Sequence, residues 1–278
     1  MRRYTVGILG SGVISRTYLA DIRNFYHQLQ VQACADLLPE RAEALAQEFE
    51  VPHAYTVEQL LRDPDIDIIV NLTPPQAHVE VDKQILEAGK HLFSEKPFAP
   101  TLAQAKEILA LAEQKGLQVG CAPDTFLASG LQSVRYYLDN GLIGTPFFVT
   151  ANMTSAGMEN WHPNPAPFYQ EGAGPVMDMG PYYLSAIVSL LGPIQSIAAF
   201  SATPRTERQV WVGAKAGTTI PVQTPTHYSA IMQLCSGAVV NLNLSFDVYR
   251  SNLPKLEIYG DSGTLTYPDP NFGGGTPT

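Results

Sequence analysis

Residues 5–15, Thr-Val-Gly-Ile-Leu-Gly-Ser-Gly-Val-Ile-Ser, constrain the fold more than any other stretch of this chain. An apolar run leads into Gly10-Ser11-Gly12, Ser15 stands where a third small residue is wanted, and a helical pattern follows. A strand, a tight glycine turn and a helix N-terminus form a cradle for a pyrophosphate. One glycine makes the turn, the next lets the backbone come close, and the free N–H groups at Val13 and Ile14 face the phosphates. Glycine pairs after strands also occur in ordinary turns, so the surrounding pattern has to decide.

That pattern alternates. Residues 4–9 read as a buried strand and 13–29 as the first helix. A second strand, 31–36, ends at Asp36, where a carboxylate can accept hydrogen bonds from the adenosine ribose hydroxyls and repel a 2′-phosphate. This favours NAD over NADP, with Arg41 close enough in sequence to keep NADP open. Pro39 opens a helix with Ala42, Leu45, Ala46 and Phe49 on one face, and 57–61 is a short helical piece. Residues 66–72 form an apolar strand of the kind a covered parallel sheet uses, broken by Thr73-Pro74-Pro75. A helix over 76–88 carries Ala77, Val81 and Ile85 in register. A strand at 91–94 follows, then a helix over 101–115 with Leu102, Ala105, Leu109 and Ala112 along one side, then a strand at 117–121. Strand–helix alternation over 120 residues predicts a doubly wound α/β domain over residues 1–122.

Beyond Cys121 the texture changes. A helix near 127–140 and a long strand at 146–154 precede a loop at 155–177 that is rich in Pro, Gly and Asn and long for mere connection. A helix at about 180–191 leads to strand-like runs near 194–202, 207–214, 226–234, 237–248, 255–260 and 263–267, the third and fourth reading as a hairpin across Ser236-Gly237. Residues 123–278 are therefore expected to form an α+β domain on a large, mainly antiparallel open sheet. The last eight residues, Asn271–Thr278, show no closing element and read as a flexible tail or as the edge of a longer chain.

Seventeen basic against 26 acidic residues give a net charge of −9, and no basic cluster could neutralise a nucleic-acid backbone. Residues 1–122 carry 27 of the 43 charges, so the sparsely charged second half is expected to bury surface, either in a large core or against another subunit. The mean hydropathy of −0.03 fits a globular chain, no apolar run reaches the ~20 residues needed to span a bilayer, and Arg2-Arg3 runs straight into a strand rather than a signal peptide. Three cysteines without metal-ligand spacing suit a reducing cytoplasm. His162, Asp178 and His227 also lack ligand spacing, so no metal site is expected.

With the glycine loop and Asp36, the tripeptide Glu95-Lys96-Pro97 about 85 residues beyond that loop and the segment 172–184 make the chain resemble the Gfo/Idh/MocA oxidoreductases, from Tyr4 to about residue 275. The resemblance implies a nicotinamide cofactor, a sugar-like or polyhydroxylated substrate, a cleft between two domains, and a homodimer or homotetramer assembled through the open sheet. It implies that the second domain, used for substrate binding and oligomerisation, is incomplete at its C-terminal end. Lys96, with Glu95 beside it, matches the lysine that meets substrate and the nicotinamide ribose, while Asn71, Thr73, Pro74 and His78 match the stretch lining the nicotinamide. Residues 172–182 match a glycine-rich family pattern in which Asp178 is kept and Tyr182 replaces a histidine of many members, inositol dehydrogenase among them.

Hydride transfer from a carbinol needs the hydroxyl proton removed and a partner for the developing oxyanion. Lys96, Asp178 and Tyr182 are the catalytic candidates. Tyr182 can exchange the proton if a cation such as Lys96 lowers its pKa from ~10, or Lys96 can do so while Tyr182 orients the hydroxyl. Asp178, four residues before Tyr182 where a helix should begin, would hold the lysine or a sugar hydroxyl. Trp161 and His162 suit sugar stacking and hydroxyl recognition, or packing of their loop. The expected function is NAD-dependent hydride transfer on a sugar, polyol or related cyclic hydroxy compound. The alternatives are an enzyme that retains NAD and oxidises transiently for elimination, glycoside cleavage or epimerisation, and a non-enzymatic NAD-binding sensor or structural protein.

Overall fold

The computed structural model describes residues 3–278. It divides into two compact units, Met1–Ala122 and Pro123–Thr278.

In the first unit, β1 (Tyr4–Leu9), α1 (Val13–Phe25), β2 (Leu29–Ala35), α2 (Pro39–Phe49), β3 (His53–Tyr55), α3 (Val57–Arg62), β4 (Ile68–Asn71), α4 (His78–Glu87), β5 (His91–Ser94), α5 (Leu102–Lys115) and β6 (Val119–Cys121) alternate along the chain. The strands form one parallel sheet in the order β3-β2-β1-β4-β5-β6, the doubly wound arrangement. Because side chains alternate across a strand, β1 sends Val6 and Ile8 to a core shared with Leu19 and Ile22 of α1 and Leu45 of α2. Leu9 goes to the opposite core with Leu60 of α3, Ile85 and Leu86 of α4 and Ile108 of α5. Local signals start and stop these helices. Thr56 and Gln59 form a reciprocal capping box on α3, and Thr101 caps α5, which ends at left-handed Gly116.

Four expectations change here. The first helix stops at Phe25 rather than running to 29, because the chain turns at Tyr26 and enters β2 at Leu29. The strand β3 had no counterpart in the reading of the sequence. The inward stripe of α4 is His78, Asp82, Ile85 and Leu86, so Ile85 faces inward as expected while Ala77 and Val81 do not belong to it. The inward residues of α5 are Ile108 and Ala112, while Leu102 and Leu109 are exposed.

The second unit contains α6 (Ser129–Asp139), β7 (Pro146–Thr154), α7 (Gly174–Asp178), α8 (Gly180–Leu191), β8 (Ile194–Ala202), β9 (Glu207–Gln209), β10 (Thr219–Pro221), β11 (His227–Leu234), β12 (Val239–Ser245), β13 (Leu256–Gly260) and β14 (Thr264–Tyr267). Its six-stranded sheet has the order β14-β13-β7-β12-β11-β8. All neighbours are antiparallel except β7 and β12, and β11–β12 is the expected hairpin. One sheet face packs Val149, Met232, Val240 and Leu242 against Leu131 of α6 and Tyr183 and Ile187 of α8. The other leaves Phe200, Ile231 and Val239 exposed, Phe200 by 86%. The strand expected at 207–214 is only Glu207–Gln209, paired with β10 in a separate ribbon, because Val210 turns inward and is buried. The flexible reading of the tail is corrected too. Thr278 exchanges backbone hydrogen bonds with Thr266 (2.7 and 3.0 Å), so residues 268–278 fold back on the edge of β14.

Candidate functional site

The candidate cofactor residues of the first unit gather at the carboxyl ends of β1, β2, β4 and β5, where open α/β sheets bind ligands. The turn after β1 requires its glycines. Gly10 has φ +105°, and a Cβ built there would lie 2.7 Å from the carbonyl carbon and oxygen of Leu72. Gly12 caps α1 in an extended conformation, φ −75°, and a Cβ there would meet nothing within 4 Å. The α1 N-terminus has no side-chain cap and no acidic residue in its first turn, so its N–H groups remain suited to an anion. Val13 and Ile14 are exposed beside it. This set fits a dinucleotide pyrophosphate.

Asp36 follows β2 and joins two turns. Its Oδ2 accepts the Ser11 N–H (2.8 Å) and its Oδ1 accepts the Leu38 N–H (3.0 Å), which fixes the carboxylate beside the glycine loop. Leu37 next to it is 89% exposed, an apolar side chain rather than a cation, and Arg41 is exposed on the first turn of α2.

After β4 the expectation of direct cofactor contact changes for two residues. Asn71 is fully buried. It donates Nδ2 to Asp82 Oδ1 (2.7 Å) and accepts through Oδ1 from the Thr73 N–H (3.1 Å) and hydroxyl (2.7 Å). His78 is fully buried as well, with Nδ1 2.8 Å from the Pro97 carbonyl oxygen and Nε2 2.8 Å from that of Thr73. Both hold the loop from inside instead of lining a ligand surface. Thr73 is half-buried and Pro74 exposed. After β5, Glu95 accepts the Tyr18 hydroxyl of α1 (2.8 Å) at Oε1 and the Lys96 N–H (2.9 Å) at Oε2, so it too braces the turn. Lys96 is half-buried, and the Lys96–Pro97 peptide is cis.

In the second unit, Asp178 and Tyr182 do not share one helix. Asp178 ends α7, Met179 intervenes, and Tyr182 lies in the first turn of α8 behind Pro181. Asp178 is therefore neither at a helix start nor an N-cap. Both residues are half-buried, whereas neighbouring Tyr183 is fully buried and donates to Asp269 Oδ1 (3.0 Å); burial first, and then that carboxylate, push its hydroxyl far above the usual tyrosine range. Trp161 is 62% exposed. The His162 ring lies edge-on to Trp161 and Phe168, with centroids 5.4 and 5.0 Å away, and its Nδ1 accepts the Asn164 N–H (3.1 Å).

The loop carrying these rings is anchored by residues the sequence reading passed over. Arg208, fully buried, donates to Glu159 Oε1 (2.9 Å), the Phe246 carbonyl (3.1 Å) and Asp247 Oδ1 (2.5 Å), and its guanidinium lies over the Tyr169 ring at 5.1 Å. The Tyr169 hydroxyl donates to Glu159 and accepts from the Met158 N–H. Burial, then Glu159, push that hydroxyl upward. The available signal was Glu159 and Tyr169 in a loop otherwise dominated by Pro, Gly and Asn. No grouping of three or more His, Cys, Asp or Glu able to hold a metal occurs among the described residues, and no helix there is long and apolar enough to cross a membrane.

Two family models match nearly the whole chain. Residues 4–122 match the oxidoreductase family, NAD-binding Rossmann fold, and residues 131–266 match the GFO/IDH/MocA C-terminal domain. An uncharacterised oxidoreductase of Schizosaccharomyces pombe is 31% identical over 146 residues, covering 51% of this chain and 38% of its own. The inositol 2-dehydrogenase/D-chiro-inositol 3-dehydrogenase of Lacticaseibacillus casei is 32% identical over 155 residues, covering 53% and 43%. The chain spans between 38% and 60% of the lengths of the first curated relatives it matches. Among solved structures, the WlbA dehydrogenase of Bordetella pertussis, in complex with NADH and UDP-GlcNAcA, superposes with a TM-score of 0.81 at 21% identity, over 95% of this chain and 73% of that one. The first unit is thus an NAD-binding Rossmann domain, and the chain belongs to the Gfo/Idh/MocA oxidoreductase family.

Proposed function

We propose that the protein is an NAD-dependent oxidoreductase that moves hydride between nicotinamide and a sugar, polyol or related cyclic hydroxy compound. The observation that carries this reading is the glycine turn. Gly12 leaves open the space beside an uncapped helix N-terminus, and the Asp36 carboxylate is held against the same turn by the Ser11 N–H. Gly10, Gly12, Val13 and Ile14 would hold the pyrophosphate, Asp36 the ribose hydroxyls, and Thr73, Pro74 and Lys96 would border the nicotinamide. Bound nicotinamide supplies the hydride acceptor or donor.

The chain's own part is proton management and orientation. Lys96 is half-buried on a turn fixed by Glu95 and is suited to take or return the carbinol proton. Tyr182 and Asp178 orient the substrate hydroxyls, and Trp161 and His162 offer an aromatic surface for a sugar ring. The names of two relatives support a polyhydroxylated substrate, since one acts on inositols and the other was solved with a nucleotide sugar. The exposed apolar face at Phe200, Ile231 and Val239 supports a homodimer or homotetramer through the second sheet.

The test follows nicotinamide absorbance across aldoses, inositols, sugar acids and dihydrodiols, with NAD and NADP in parallel. We expect substrate-dependent NADH formation, with kcat falling roughly 10²–10⁴-fold in Lys96→Met and clearly in Tyr182→Phe. Unchanged turnover in both variants would remove these residues from the chemistry. Tight NAD binding without net NADH would favour a retained-cofactor reaction.

A further inference from the structure

We propose that His78 is a positioning residue that, as an imidazolium, locks the turn after β4 to the turn after β5 and thereby sets the place of Lys96. The functional weight of this lock rests on the proposed role of Lys96; its hydrogen-bond chemistry does not.

The geometry leaves little freedom. Each ring nitrogen lies 2.8 Å from a carbonyl oxygen, Nδ1 from that of Pro97 and Nε2 from that of Thr73. A carbonyl oxygen only accepts, so each contact is a hydrogen bond only while its nitrogen carries a proton. A neutral imidazole has one N–H and would set a lone pair against a lone pair at the other end, inside a site sealed from water. The cation satisfies both. One turn along α4, Asp82 is fully buried and accepts from Asn71 at Oδ1. Burial raises the Asp82 carboxyl above its usual range, while hydrogen bonds from Asn71 and Ser94 and then the His78 charge act the other way.

What this device holds is the backbone around Lys96. On the N-terminal side, Glu95 takes the Lys96 N–H and is itself held by Tyr18. On the C-terminal side, His78 takes the Pro97 carbonyl. The same ring reaches Thr73, whose N–H and hydroxyl are held by Asn71, so the two turns form one hydrogen-bonded unit. Apolar packing alone cannot fix a carbonyl direction in a proline turn; a two-headed donor can.

The experiment uses the full chain labelled with 15N-histidine, with the His78 signals assigned by their loss in His78→Phe. At neutral pH we expect both His78 ring nitrogens to carry slowly exchanging protons. A single neutral tautomer would overturn the imidazolium. His78→Phe keeps a ring without donors, and His78→Gln keeps one donor arm. We expect NADH affinity in His78→Phe to stay within about threefold while kcat falls roughly ten- to a hundredfold, with partial recovery in His78→Gln. An unchanged kcat in either folded variant would overturn the positioning role. Backbone amide shifts at Thr73 and Lys96 in His78→Gln give a readout that needs no turnover. They should move, and if they stay in place the lock is absent. Wild-type protein with no turnover on any polyol would count against the dehydrogenase reading and leave these spectroscopic outcomes decisive.

Discussion

Replacing Gly12 by alanine should separate cofactor binding from folding, and Gly10→Ala should not. Gly12 has φ −75°, a conformation alanine adopts freely, and the added methyl would meet nothing within 4 Å. Gly→Ala at a compatible site gains about 0.4–1 kcal/mol through the unfolded chain. Alanine is a poorer N-cap than glycine by a comparable amount, so the net change stays within about 1 kcal/mol. For a chain of this size that corresponds to a melting shift of about 2–4 °C at most. Gly10 differs on both counts. Its φ of +105° is costly for alanine, about 1–3 kcal/mol. The methyl would also sit 2.7 Å from the Leu72 carbonyl, well inside ordinary carbon contact, adding about 1–3 kcal/mol of overpacking. Melting should fall by about 10 °C. Thermal denaturation and NADH fluorescence titration together check this. We expect Gly12→Ala to melt like the wild type yet bind NADH at least about tenfold more weakly, a loss of about 1.4 kcal/mol, because its methyl occupies the approach path of the pyrophosphate. Wild-type NADH affinity in Gly12→Ala would refute the cradle. A melting loss as large as that of Gly10→Ala would refute the packing argument.

Two further outcomes follow from buried groups. Arg208→Met removes the cation from between Glu159 and Asp247 and should cost about 3–5 kcal/mol in urea denaturation; a midpoint equal to the wild type would deny the network its anchoring role. Burial pushes the Cys34 thiol up to about 12, and burial with the nearby Glu95 and Asp82 charges does the same for Cys121, while Cys235 is exposed. Ellman's reagent at pH 8 should therefore react quickly with one thiol in the native chain and with three after unfolding. Because both folded values lie above the unfolded thiol value of 9.0, the associated stability is present below pH 9 and is lost as pH rises from there towards 12.

The parallel sheet was legible because its strands are short apolar runs punctuated by Gly and Pro; β1 and β5 lie at the residues the pattern indicates. Helix faces were less legible. In α5 the residues Leu102, Ala105, Ile108, Leu109, Leu111 and Ala112 are apolar on more than one side, so periodicity alone does not choose Ile108 over Leu109. In α4 the apolar stripe gave Ile85 correctly but missed His78 and Asp82, because polar residues on the inward face carry no apolar periodicity. The tail failed for a different reason. Residues 271–278 are rich in Gly, Pro and Thr, and what holds them is distant in sequence or invisible to composition: Tyr267 donates to the Phe272 and Gly274 carbonyls, and Thr278 pairs with Thr266. Of the candidate site, the glycine turn and Asp36 could be read from spacing. The inward roles of Asn71 and His78 could not, since spacing does not say which way a side chain turns.

The inward roles of Asn71 and His78 and the anchoring of the 155–177 loop share a physical cause. In each unit a buried polar cluster lies where a loop leaves regular structure: Asn71, Asp82 and His78 in the first, Glu159, Arg208 and Asp247 in the second. Backbone in a turn such as Thr73–Pro75 or a loop such as 155–177 lacks the ladder that satisfies a strand or helix. Its buried N–H and C=O groups must be met by side chains. An apolar residue stabilises such a loop only by area and leaves its direction free. An amide, imidazole or guanidinium sets the direction, and a buried charge must be matched, as Glu159 and Asp247 stand by Arg208. A polar residue on the inward face of an otherwise apolar helix is therefore a sign that some loop nearby must be held in one place. In this chain the loop that His78 holds is the one that carries Lys96.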